Sequence, residues 1–187
     1  PLVISANVEE YLIETETENF NPQRAQHAAV PIPGMRQVFI SGGVNSNGEI
    51  LDDAAVYDDE THTTKKVFNL KTPRRRHTHT PIFDSEGKYT GILICGGTEE
   101  NDKLCEWWSS DSDDSRVIES DLHAVLEGHA SATLSDGRAI VAGGTINGQV
   151  SDSIMLFRME CLESTCEPLK LMNSVLEIAR SGASLSS

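Results

Sequence analysis

The chain is short of positive charge. Its 187 residues carry 15 lysines and arginines against 29 aspartates and glutamates, a formal net charge of −14. A protein that neutralises phosphates needs a basic face, so this balance argues against nucleic acid and against anionic membrane surfaces. Aromatics are scarce at 5%, and no apolar run nears the roughly 18 residues of a membrane-spanning helix. The four cysteines form no Cys-x-x-Cys pair, which disfavours a structural zinc site. Neither Gly-x-Gly-x-x-Gly nor Gly-x-x-x-x-Gly-Lys occurs, so the glycines do not build the common phosphate cradles. Helix-period stretches are nearly absent.

What is present is a repeat. Three short β-type runs end in Gly-Gly, at Gly42-Gly43, Gly96-Gly97 and Gly143-Gly144, with spacings of 54 and 47 residues. A period near 50 signals a stacked architecture in which no unit can bury its apolar face alone. The glycine pairs are expected to serve positive φ angles and close strand packing. Upstream of each pair lies a histidine. Aligning the units makes His27, His79 and His129 equivalent, followed by Ala183, and makes Arg24 and Arg76 equivalent. Between histidine and Gly-Gly come turn residues (Pro33-Gly34, Ser85-Glu86-Gly87, Ser135-Asp136-Gly137), which join adjacent antiparallel strands. A third strand with an aromatic follows, marked by Tyr57, Trp107-Trp108 and Phe157. A weaker fourth strand carries Phe68, Ile118 and Leu169.

Four short antiparallel strands per 50 residues make one propeller blade. The in-phase apolar strand, Gly-Gly, loop and aromatic strand resemble the kelch-type repeat of β-propellers. The Arg-x-x-His form is similar to bacterial secreted kelch-like proteins and the galactose-oxidase-like superfamily. The resemblance implies an all-β, partial kelch-type propeller of about three and a half blades. Residues 1–23 read as outer strands of a preceding blade. Residues 24–73, 74–125 and 126–175 read as blades, and 176–187 as the first strand of a following one. Since most kelch propellers close with six or seven blades, the chain is expected to be part of a larger ring. The remaining blades would come from the same chain or a self-associated copy.

The cysteines allow three connectivities. If each pair spans a hairpin, Cys95 joins Cys105 and Cys161 joins Cys166, which places the protein in an oxidising compartment: secreted, periplasmic or at the cell surface. The alternative is four reduced thiols, with Cys95 a small buried apolar residue. His27, His79 and His129 would lie near one mouth of a central channel. They could form an imidazole ring for a metal or an anion, although a residue repeated in every unit more often bridges blades. Asp111, Asp113 and Asp114 could bind Ca²⁺ weakly, although a solvated acidic loop is the plainer reading. No other cofactor is expected.

Copper radical enzymes of the galactose-oxidase type use a Cys–Tyr crosslink, and none of Tyr11, Tyr57 or Tyr89 is placed for one. The sequence therefore predicts a non-catalytic binding or structural module that presents loops to a protein or glycan surface. One alternative is a scaffold segment of an extracellular enzyme with its active site elsewhere. Another is an intracellular kelch adaptor.

Overall fold

A computed structural model describes residues 23–100, 103–120, 124–162 and 166–176. Of the outer strands expected over 1–23 and the following strand expected over 176–187, residues 1–22 and 177–187 lie outside the described residues. Strands β1 (Ala28–Pro31), β2 (Gln37–Ser41), β3 (Asp53–Asp58) and β4 (Thr63–Asn69) form the first sheet, in that order. A second sheet follows from β5 (Thr78–Phe83), β6 (Tyr89–Cys95), β7 (Cys105–Trp108) and β8 (Ser115–Ile118). After the short β9 (Leu126–Glu127), the third repeat contains β10 (Ala130–Thr133), β11 (Ala139–Ala142), β12 (Thr145–Ile146), β13 (Gln149–Val150), β14 (Ser153–Phe157) and β15 (Leu169–Val175). The third sheet runs β10-β11-β14-β15, and β13-β12-β9 make a separate three-stranded one. All pairings are antiparallel. The chain is thus all-β, and among the described residues the sheets close into neither a barrel nor a ring.

The alternation of side chains along a strand decides how the sheets stack. On β6, Ile92 and Ile94 enter one core with Phe39, Phe68 and Ile32 of the first sheet. Leu93 and Cys95, on the opposite face of β6, enter another core with Val141, Met155 and Phe157 of the third. That is why β6 is buried at five successive residues. A continuous apolar run is what a strand covered on both sides requires. The first strands touch across the stack, β1 against β5 and β5 against β10. Each first hairpin turn closes with an i to i+3 bond: Met35 N to Ile32 O, Gly87 N to Asp84 O, and Gly137 N to Leu134 O.

Register fixes the repeat better than spacing does. Ser41, Cys95 and Ala142 end the second strands, opposite Ala28, Thr78 and Ala130. The preceding residues, His27, His77 and His129, are therefore equivalent, and the alignment that chose His79 is two residues late. The β5–β6 hairpin is longer than β1–β2 and carries a bulge at Ile82/Phe83, which absorbs the extra residues. The same shift moves the repeated arginine from Arg76 to Arg74. Tyr57, Trp108 and Phe157 do share a register, opposite Val38, Ile92 and Ala139. Leu169 pairs with Phe157, whereas Phe68 and Ile118 pair with Ala54 and Cys105 at the other end of the strand, so Leu169 is not their counterpart.

Two disulfides are present. Cys95–Cys105 links directly paired residues of β6 and β7, and Cys161–Cys166 closes a short loop before β15. No helix among the described residues is long and apolar enough to cross a membrane.

Candidate functional site

The polar residues of the repeat converge where the first strands of neighbouring sheets meet. The glycine pairs make this approach possible. Gly42, Gly43, Gly96, Gly97, Gly143 and Gly144 all have positive φ. The first glycine of a pair packs against the next sheet. A Cβ on Gly96 would lie 2.5 Å from His129 Cε1 and 2.6 Å from the Leu126 carbonyl. The second packs against its own repeat, where a Cβ on Gly144 would lie 2.6 Å from the Glu127 carbonyl. Backbone bonds from Gly43 N to Arg74 O and from Gly97 N to Leu126 O, both 2.7 Å, stitch each sheet to the next. Gly96→Ala is accordingly expected to destabilise the protein by about 2–3 kcal/mol, from left-handed strain plus overpacking. A thermal or urea melt checks this; Gly34→Ala, with positive φ but open space at its Cβ, should cost less.

Histidines fill the seam. The Ser41 hydroxyl, at a fully buried residue, lies 3.1 Å from His77 Nε2 and 2.8 Å from His79 Nε2. One hydroxyl proton can serve only one of them, so Ser41 donates to one imidazole and accepts from the other. The two rings therefore hold opposite tautomers. In the second sheet Cys95 stands where Ser41 stands in the first. His129 instead meets the Thr78 hydroxyl at 2.8 Å, with the Cys95 carbonyl nearby. Burial lowers all three histidines. His77 falls well below its ordinary value, with His79, Arg74, His129 and His27 adding to the effect. His79 falls to about 3 through burial, then His27 and Arg74. His129 falls to about 4 through burial, partly offset by the Cys95 carbonyl and lowered further by Arg74. His27 is exposed.

Beneath the histidines lies a buried ion pair. Arg74 donates through Nε and Nη2 to Glu106 Oε1 at 3.0 and 2.9 Å, and both side chains have 0% exposure. Its remaining donors reach the carbonyls of Gly96 (2.8 Å), Leu104 (3.2 Å) and Lys103 (2.7 Å). Glu106 Oε2 accepts from Lys71 N at 2.9 Å and Ser115 Oγ at 2.6 Å. The sequence reading missed this pair, although a glutamate inside Cys105-Glu106-Trp107-Trp108 was the signal for it. In the first sheet Arg24 binds both Asp53 oxygens and the Gly42 carbonyl. In the third, Leu126 and Met155 occupy the places of Arg74 and Glu106, inside the apolar core.

The residue before each histidine is left-handed: Gln26 (φ 60°), Arg76 (φ 53°) and Gly128 (φ 62°). Arg76 N bonds to Gln26 O at 2.9 Å, so neighbouring kinks sit side by side. Gln26 and Arg76 are both exposed.

The acidic trio is split by the fold. Asp114 pairs with Lys71 and also accepts from Ser115 N. Asp111 and Asp113 face a groove at the opposite end of the strands, between the first two sheets. Among the described residues no three His, Cys, Asp or Glu side chains are arranged to hold a metal ion. The trio and the His27, His79 and His129 ring are thus not gathered into ligand sets.

No family model matches the chain, and no curated protein matches it. Among solved structures it is similar to one described as "Structure of YjhT", with a TM-score of 0.59 and 13% identity, over 83% of this chain and 54% of that one. The chain thus spans about half the length of that structure, and at 13% identity the likeness speaks to the fold alone.

Proposed function

We propose that this chain is a kelch-type β-propeller segment that works as a non-catalytic binding module of an exported or cell-surface protein. Its partner is a protein or a glycan surface. Further sheets of the same repeat, from the rest of the same polypeptide or from a self-associated copy, cover its two outer faces. Those faces are apolar: Val38 and Ile40 alternate with the core residue Phe39, and Ile140 and Ile154 alternate with Val141 and Met155. The two disulfides favour the exported setting over an intracellular adaptor.

One observation carries the binding reading. A left-handed backbone costs nothing at Gly128 but on the order of 1 kcal/mol at a residue with a Cβ. The first two repeats nonetheless place long polar side chains there, exposed and adjacent. Strain kept at an accessible position points to use of the side chain. The test screens the full-length exported protein against arrayed surface glycans and purified surface proteins, alongside a Gln26→Gly/Arg76→Gly variant. The variant should melt a few degrees higher and lose most binding to any partner found. Undiminished binding would remove this surface from the interaction. Oxidation of sugars or alcohols by the copper-loaded full-length protein would favour the enzyme scaffold instead.

A further inference from the structure

The groove at the turn end of the first two sheets has a volume of about 480 Å³, within the ordinary range for ligand sites. Its floor is apolar, built from Ile32, Val56, Val67 and the buried Trp108, and Met35 stands on its wall 49% exposed. The rim is acidic. Asp58 accepts from Gln37 Nε2 and from the Glu60 and Thr61 amides, bonds that hold its carboxyl below the usual range and keep it charged. Asp111 and Asp113 come from the β7–β8 loop. Trp108 Nε1 fixes that loop by donating to the Ser112 carbonyl at 3.0 Å. Neither the Asp111 nor the Asp113 carboxylate has a hydrogen-bond or ion-pair partner among the described residues. Among the described residues Lys65 is the only cation lining the groove, so there three carboxylates face one ammonium.

We propose that this groove docks an extended peptide segment in which arginine or lysine flanks a large apolar side chain. The apolar side chain seats against Met35, Val56 and Val67, and the flanking cations meet Asp58, Asp111 and Asp113. The unbranched Met35 side chain adapts to different apolar residues. Charge complementarity selects a basic partner from among apolar ones, and it makes association fall with salt. The site is distinct from the Gln26–Arg76 surface, and the inference does not rest on that reading.

The test uses fluorescence anisotropy with the full-length protein and a labelled hexapeptide of alternating arginine and leucine. Asp111→Asn/Asp113→Asn should weaken binding about tenfold. Lys65→Gln should strengthen it about threefold. A Glu99→Gln/Glu119→Gln variant, which removes the same charge elsewhere, should change it less than twofold. Replacing leucine by serine in the probe should abolish binding, as should replacing arginine by glutamine. Equal losses in the two charge-neutralised proteins would overturn the proposal, since the probe would then be following net charge alone. So would binding of the leucine-to-serine probe at full strength, or no binding of the original probe at low salt.

Discussion

Arg74→Met is expected to cost about 3–5 kcal/mol of stability, the largest loss of any single substitution in the seam. The cause is the charge left behind. Glu106 would keep two donors on Oε2, Lys71 N and Ser115 Oγ, but Oε1 would lose both of its own at a residue with no solvent access. Three carbonyls, those of Gly96, Leu104 and Lys103, would lose the guanidinium as well. Arg74→Lys should recover little, because a single ammonium cannot reproduce the planar fork that meets Glu106 and three carbonyls together. The double variant Arg74→Met/Glu106→Leu should recover most of the loss. The third sheet already holds an apolar pair at these places, Leu126 for Arg74 and Met155 for Glu106, and both belong to its core. Urea unfolding of both single variants and the double gives the coupling energy directly. A double variant no more stable than Arg74→Met would show that the pair's hydrogen bonds to its surroundings, the three carbonyls met by Arg74 and the Lys71 amide and Ser115 hydroxyl met by Glu106, hold the seam rather than the charge pair itself. Arg24→Met should cost less, since the Arg24 and Asp53 side chains retain 7% and 15% exposure.

The all-β fold of repeated antiparallel sheets was legible in the sequence because glycine, turn and aromatic signals are local and recur in phase. The aromatic of the third strand marked Tyr57, Trp107-Trp108 and Phe157 as counterparts, and the strand register then selects Trp108 over Trp107. The seam was harder to read. His77 and His79 both satisfy the same spacing within a few residues, and only the strand register and the bulge at Ile82/Phe83 choose between them. The partners that define the site are remote in sequence: Ser41 from His77 by 36 residues, Arg74 from Glu106 by 32, Thr78 from His129 by 51. No local pattern encodes such pairs. The acidic trio shows the converse. Three neighbouring aspartates looked like one cluster, yet Lys71 takes Asp114 while the loop turns Asp111 and Asp113 into the groove.

Mild acid should loosen the stack well before it protonates the carboxylates. His77, His79 and His129 are held neutral in the fold, with His79 near 3 and His129 near 4, whereas the unfolded chain takes up protons near 6.5. The unfolded state therefore binds more protons below pH 6.5, and stability falls as pH falls until the folded histidines themselves titrate. Each histidine contributes up to about 1.4 kcal/mol per pH unit in that window. The titratable groups that act on these imidazoles are His27, His79, His129 and Arg74, all of them cationic when charged, and only the Cys95 carbonyl, at His129, acts the other way. Asp58 and Asp136, whose folded values are lowered, lose their contribution only as pH falls below the ordinary carboxylate range. Relaxation of the net charge of −14 acts in the opposite direction. Urea unfolding between pH 7 and pH 4.5 should show a loss of several kcal/mol, and His77→Asn should make the profile visibly shallower. A flat profile across that window would mean that the imidazoles are already charged, or freely hydrated, in the folded protein.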